Sequence, residues 1–311
     1  DFGRGWQHYG ARWDANAVVS FAKDRRARRL NSSKPCFQLE SRSRVFVWSE
    51  QGLGDEVMFA SLIPELLALG NPLLLQCDPR LEALYRRSFP QAEICRAGDV
   101  DEARYDTQIP IGDLGRLLRP DLASFARSPW GYLKADTERI EEMRRWVRST
   151  GKRYAVGISW SSINPDTGPS RSLPLEQLID ALVRPDVQLI SMQYGSTVES
   201  MRAQQARVAN RLLVPTGLDV TNDLDGLAAL MSACDLVVSI GNTTAHLAAA
   251  IGRPTWVLTP KVGSWRWMAH GETTPWYPSA RVFRQSQPGD WASVLLAVSL
   301  ALDSWIGGDR G

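Results

Sequence analysis

Apolar residues along the chain gather in short, continuous runs separated by longer stretches with helical spacing. Val45-Phe-Val-Trp-Ser49 is the first such run and predicts a buried strand. Gln51-Gly52-Leu53-Gly54-Asp55 follows as a glycine loop. A helical pattern then continues to Leu69, where Gly70-Asn71-Pro72 stops it. Leu73-Leu74-Leu75 opens the next strand, and a helix near 80–88 and strands near 93–95 and 107–109 extend the alternation.

A charged helix over about 136–149, ended by Gly151, precedes a second series. Its predicted members are strand 154–160, helix 175–183, strand 187–192, helix 197–208 and strand 212–214. Helix 223–233, strand 235–240, helix 244–251 and strand 255–258 follow, with a last helix at about 290–305. Continuous apolar strands alternating with helices predict parallel sheets covered on both faces. The fold class expected is therefore α/β, with two Rossmann-like lobes and a cleft between them. The expected organisation is a helical segment at 1–31, with Trp6, Tyr9 and Trp13 on one aromatic face, then a first lobe at 32–135. A linker helix at 136–150, a second lobe at 151–288 and a C-terminal helix at 289–311 that braces the lobes complete it.

Composition narrows the picture. With 311 residues and 44% hydrophobic content, the chain is long enough for two cores. A net charge of +2 gives no case for nucleic acid as a partner, because phosphate binding needs a clustered basic surface. The one basic run, Lys23 to Arg29, is interrupted by Asp24 and reads as a solvated helix face or linker. Cys36, Cys77, Cys95 and Cys234 lack metal-ligand spacing and form no disulfide framework, so a reducing, cytoplasmic compartment is expected. No apolar stretch reaches the roughly 18 residues of a membrane span, and the first residues lack a signal-peptide pattern. The missing initiating Met suggests a piece of a longer protein or a processed chain.

Three segments carry candidate chemistry. In Asp235 to Pro254 a hydrophobic strand ends at Gly241, and a helix starts at once with Asn242, Thr243 and Thr244. Such residues cap the first-turn N–H groups, and the same turn at the positive end of the helix dipole suits a diphosphate. His246 lies early enough in the helix to reach a phosphate or ribose. An ordinary capped helix with a surface histidine is the plainer alternative. In the glycine loop, Gly54 permits close approach to the backbone, and Asp55 either acts as general base toward an acceptor hydroxyl or merely caps its helix. Gly-x-Gly without a third glycine disfavours a nicotinamide oxidoreductase. Third, Ser161 to Pro174 follows the first strand of the second series and holds Arg171, a forked donor suited to a leaving diphosphate or a simple rim arginine. Gln193, after strand 187–192, is a candidate for binding base or ribose, or a solvated loop amide. The rings of Trp265, Trp267, Trp276 and Tyr277 either stack on a sugar or base or form packing between lobes, and His270 reads as structural.

Glu50-Gln-Gly-Leu-Gly-Asp55, Arg171-Ser-Leu-Pro174, Ser191-Met-Gln-Tyr-Gly195, His246-Leu-Ala248 and Trp276-Tyr-Pro278 resemble, in this order, bacterial glycosyltransferases that carry tetratricopeptide repeats. The catalytic part of those proteins is similar to the heptosyltransferase family. Gly5-Trp6-Gln-His-Tyr9 to Arg12-Trp13 resembles the segment after their last repeat. The resemblance implies a GT-B fold, a nucleotide-sugar donor held by the C-terminal lobe, no cofactor and no catalytic metal. It implies Asp55 as base, Asn242 to His246 around the donor phosphates with Arg171 beside them, and a protein or glycan acceptor, flagellin-like surface proteins being one guess. Heptosyltransferases usually carry Asp-Thr-Gly where this chain has Gly241-Asn242-Thr243, and Pro64 lies further from Asp55 than its counterpart there. The expected function is metal-independent, inverting transfer of a sugar from a nucleotide-sugar donor. A nucleotide-binding interaction module without catalysis is the rival from another class, motivated by Gly241, and a sugar-nucleotide epimerase is a further alternative.

Overall fold

The computed structural model describes residues 1–13, 33–39, 42–96, 100–195, 208 and 211–308. The expected helical continuation past Trp13, the Lys23–Arg29 run and all of helix 197–208 except Val208 lie outside the described residues. The chain divides into two compact units, Asp1–Lys134 and Ala135–Gly311.

In the first unit, α1 (Phe2–Tyr9) is capped by Asp1, whose carboxylate accepts the Arg4 N–H at 3.0 Å, and a 3-10 turn follows at Gly10–Trp13. The strands are β1 (Val45–Trp48), β2 (Leu73–Cys77), β3 (Glu93–Arg96) and β4 (Thr107–Pro110). They form one sheet in the order β3-β2-β1-β4, with every pair parallel. The helices are α2 (Leu53–Phe59), α3 (Ile63–Ala68), α4 (Glu82–Ser88) and α5 (Leu114–Leu118). Where the apolar pattern predicts one helix from the glycine loop to Leu69, a 3-10 turn at Ala60–Leu62 separates α2 from α3. Pro64 explains the break. It donates no N–H, its ring opposes the carbonyl four residues back, and proline suits the start of a new helix.

The second unit opens with α6 (Thr137–Arg148), capped by Asp136. Its strands are β5 (Tyr154–Ser159), β6 (Val187–Ser191), β7 (Leu212–Leu213), β8 (Leu236–Ile240), β9 (Thr255–Thr259) and β10 (Ala280–Arg284). The sheet order is β10-β9-β8-β5-β6-β7, again entirely parallel. The helices are α7 (Gly168–Arg171), α8 (Leu175–Leu182), α9 (Leu224–Ala233), α10 (Thr243–Ala250) and α11 (Trp291–Gly307). Strand β10, absent from the sequence expectation, pairs with β9 along its whole length, from Ala280 opposite Thr255 to Arg284 opposite Thr259. Val294, Leu295, Val298 and Leu302 of α11 enter the core of the second unit itself, together with Leu178 and Leu182 of α8. Arg184 fastens the same helix through Asp303 at 2.6 Å.

Two α/β units with parallel sheets are what the apolar runs predict. No helix among the described residues is long and apolar enough to cross a membrane. In each sheet the strand order reverses beside the first strand: β1 lies between β2 and β4, and β5 between β6 and β8. Ligands of open α/β sheets bind at the carboxyl ends of the strands at such a switch point, so each unit has one place to look.

Candidate functional site

At the switch point of the first unit, β1 is followed by Ser49 and Glu50, and Glu50 is buried. Arg12, arriving from the turn after α1, forks onto it: Nε donates to Oε2 and Nη2 to Oε1, each at 2.8 Å. The Gly112 N–H, beyond β4, donates to Oε1 at 2.9 Å. A Cβ on Gly112 would stand 2.4 Å from that oxygen, so only glycine fits there. A buried carboxylate with bidentate pairing and a backbone donor is a rigid post. The glycine loop springs from it. Gly52, with φ −76° and ψ 165°, is the N-cap of α2, and Asp55 occupies the first turn rather than the cap. Its N–H donates to the Gly52 carbonyl at 3.0 Å, and both Asp55 and Gly54 are half-buried.

The second switch point carries a buried polar network across β6, β5 and β8. Two fully buried serines, Ser159 at the end of β5 and Ser239 one residue before the end of β8, lie in register with each other. The Asn242 amide Nδ2 donates to Ser159 Oγ at 2.9 Å, and Ser239 Oγ donates to Asn242 Oδ1 at 3.0 Å. The same Oδ1 accepts the N–H groups of Thr244 and Ala245 at 3.0 and 3.4 Å, so Asn242 caps α10 and fastens it to two strands at once. Gln193, 2% exposed, completes the network. Its Oε1 accepts the N–H groups of Trp160 and Ser161, both at 2.9 Å, while Nε2 donates to the Ser161 and Tyr194 carbonyls at 3.1 and 2.9 Å. These bonds use both hydrogens of the amide and both lone pairs of its oxygen. The structure therefore places Gln193 as a clamp on the loop after β5.

The expected donor-site residues separate in the same way. Thr244 is 1% exposed, with its hydroxyl turned to the Met192 carbonyl at 3.4 Å. Thr243 is half-buried at the first helical position, Ser161 is half-buried, and Arg171 is half-buried at the end of α7. His246 is not a surface histidine. It is 5% exposed, its ring stacks on Trp267 with centroids 4.7 Å apart, and its Nδ1 shares a 2.9 Å hydrogen bond with the Tyr277 hydroxyl. Burial pushes its pKa down to about 3, and the charges of Arg266 and Arg171 act in the same direction. A neutral imidazole serves as a hydrogen-bond partner, not as a cation.

Trp267, Trp276 and Tyr277 are each 1% exposed, whereas Trp265 is exposed, and His270, expected to be structural, is exposed as well. The Trp267 indole lies over Gly241, where a Cβ would stand 2.7 Å from Nε1. Sequence reasoning missed Ser159 and Ser239 as members of this network. The two serines left a signal, as isolated polar residues near the carboxyl ends of otherwise apolar strands. Among the described residues, no group of three His, Cys, Asp or Glu side chains is arranged to hold a metal ion.

No protein-family model matches the chain. A curated relative, Protein FlbA of Caulobacter vibrioides, is 33% identical over 83% of this chain. The match spans 46% of FlbA, so this chain corresponds to about half the length of that relative. Among solved structures, the glycosyl transferase family 9 protein of Veillonella parvula superposes with a TM-score of 0.62 at 12% identity, covering 87% of this chain and 98% of that one. ADP-heptose lps heptosyltransferase II of E. coli superposes with a TM-score of 0.53 at 16% identity, covering 84% and 99%. The chain therefore has the fold of these proteins, the GT-B type of α/β architecture.

Proposed function

We propose that this chain is the catalytic part of a glycosyltransferase that moves a sugar from a nucleotide-sugar donor to a hydroxyl of a protein or glycan acceptor. One observation carries the reading: the amino end of α10 is fixed at the β5–β8 switch point by Asn242, with Arg171 acting electrostatically on the same turn. The helix dipole, the backbone and hydroxyl of Thr243, and the forked donors of Arg171 would meet the charge that grows on a departing diphosphate. No cofactor is called for, and these groups supply what a catalytic metal would otherwise supply. Asp55, on the glycine loop of the first unit, is the proposed base that takes the acceptor proton. Direct attack by the acceptor makes inversion the expected outcome. The length of FlbA beyond the matched part is consistent with an acceptor-recruiting segment, such as a tetratricopeptide array, in proteins of this kind. The reducing compartment inferred from the cysteines makes the cytoplasm the proposed location.

A second reading, a module that binds nucleotide without turnover, draws on the internal bonding of Asn242, Thr244 and Gln193. Calorimetric titration of UDP, ADP, GDP and CMP, with and without magnesium, separates the possibilities. One nucleotide should bind with an affinity indifferent to magnesium and fall roughly tenfold or more in Arg171→Ala, the loss of a charge-assisted bond. Thr243→Ala is the milder companion, because its hydroxyl is not buried in the network. Absence of binding by all four at millimolar concentration would refute a donor site here. Binding without any Asp55-dependent transfer would favour the module.

A further inference from the structure

In the second sheet β8 lies between β5 and β9, so the loops after β5 and β9 flank the amino end of α10 on opposite sides. The β5 loop brings Arg171. The β9 loop brings Arg266, in the 3-10 turn Trp265–Trp267. We propose that Arg266 is a second anion-binding cation of this site, closing on a donor diphosphate from the β9 side while Arg171 approaches it from the β5 side. The inference rests on the nucleotide-sugar reading above and adds a residue to it.

The turn is seated on α10 rather than merely near it. Trp267, next to Arg266, stacks on His246 and covers Gly241, the residue just before the N-cap. Three further features hold the turn in place. Arg284 Nη2 donates to the carbonyls of Trp267 and Met268 at 2.7 and 2.8 Å. The Thr274 hydroxyl donates to the Arg266 carbonyl at 2.7 Å. Met268 adopts φ 61° and ψ 168°, the one positive φ of a non-glycine residue among those described. Such a conformation persists only where its surroundings over-determine it, and it gathers at ligand clamps. The side chain of Arg266 is itself directed, with Nη1 donating to Ser264 Oγ at 2.7 Å and the guanidinium lying 5.1 Å from the centre of the Trp265 ring.

A separate observation points to a ligand. The Trp267 indole N–H, in a residue 1% exposed, finds no acceptor among the described residues, and its Nε1 lies beside Gly241, next to the N-cap of α10. Buried donors are as a rule satisfied, and an anion oxygen settling on the amino end of α10 is a natural acceptor for it. The charges of Arg266 and Arg171 both act on the His246 imidazole, in the first turn of α10.

The test is calorimetric titration of AMP and ADP, UMP and UDP, and GMP and GDP into wild type, Arg266→Ala and Arg266→Lys. For the base that binds, the alanine variant should lose roughly tenfold or more in diphosphate affinity and stay within about twofold for the monophosphate, because one phosphate is served by Arg171 alone. Lysine should restore part of the difference. Equal loss for both nucleotides would show that Arg266 only supports the loop, and no loss for either would show that it does not touch the ligand. Either result overturns the second cation while leaving the nucleotide-sugar reading intact. If no nucleotide binds the wild type, the parent reading fails and this inference fails with it.

Discussion

The hydroxyl of Tyr277 lies 2.9 Å from Nδ1 of His246, so the imidazole beside the proposed donor site is oriented by a residue 31 positions away in sequence. Burial holds that imidazole neutral by lowering its pKa to about 3. In the unfolded chain an ordinary histidine takes up its proton near pH 6.5, about 3.5 units higher. Between those values the unfolded state binds a proton that the folded state refuses. Stability is therefore intact above about pH 6.5 and falls as pH drops toward 3, by up to about 1.4 kcal/mol per unit from this group. Chemical denaturation at neutral pH and near pH 5 should show wild type losing more than His246→Gln. Equal losses would mean that the imidazole is wetter than its surroundings suggest.

Gln193→Ala should be among the more damaging single substitutions in the second unit. It leaves the N–H groups of Trp160 and Ser161 without their shared acceptor, at a cost of about 2–4 kcal/mol for two buried donors. Gln193→Glu keeps the acceptor but not the two amide donors, and should be intermediate. Thermal melting ranks the three proteins, and an alanine variant as stable as wild type would show that water replaces the amide.

Adding a methyl group at Gly241 forces the Trp267 indole to move, because the new Cβ would meet Nε1 at 2.7 Å. Gly241→Ala should cost about 1–3 kcal/mol, as overpacking usually does, and change the tryptophan emission. Met268→Gly acts in the opposite sense on the same loop. Relief of the positive φ should stabilise the protein by about 0.5–1 kcal/mol, less the greater entropy that glycine brings to the unfolded chain. A destabilised Met268→Gly would mean that the methionine side chain matters more than its backbone.

Asp55→Asn separates catalysis from binding. Loss of a general base should slow transfer by about 10²–10⁴-fold, with nucleotide affinity and melting temperature unchanged. A variant that keeps its rate would remove Asp55 from the mechanism.

Much of the architecture was legible because parallel strands buried on both faces read as largely apolar runs, as in β1, β2, β5 and β8, and among the described residues every strand but one announced itself in the alternation of strands and helices. Strand β10 did not. Arg281 is exposed between buried Ala280 and Val282, and the segment follows directly on a loop dense in aromatic residues. Within the site, Asn242 was recognisable because capping is a local interaction. The bonding of Gln193 is not legible in the sequence because its partners are backbone groups 32 and 33 positions earlier, and nothing in a sequence marks a carbonyl or an N–H as needing a partner. The burial of His246 is not legible in the sequence because the rings that bury it, Trp267 and Tyr277, arrive from a segment whose path the pattern does not disclose.

Arg12, Glu50 and Gly112 come from three widely separated stretches, yet they meet in one buried arrangement that leaves none of them free to vary alone. A shorter acid at 50 would strand the guanidinium. Any side chain at 112 would evict the carboxylate, and a neutral residue at 12 would leave a charge in the interior. Across homologues, these three positions should therefore drift together or not at all, so that a change at one is a signature to look for at the other two.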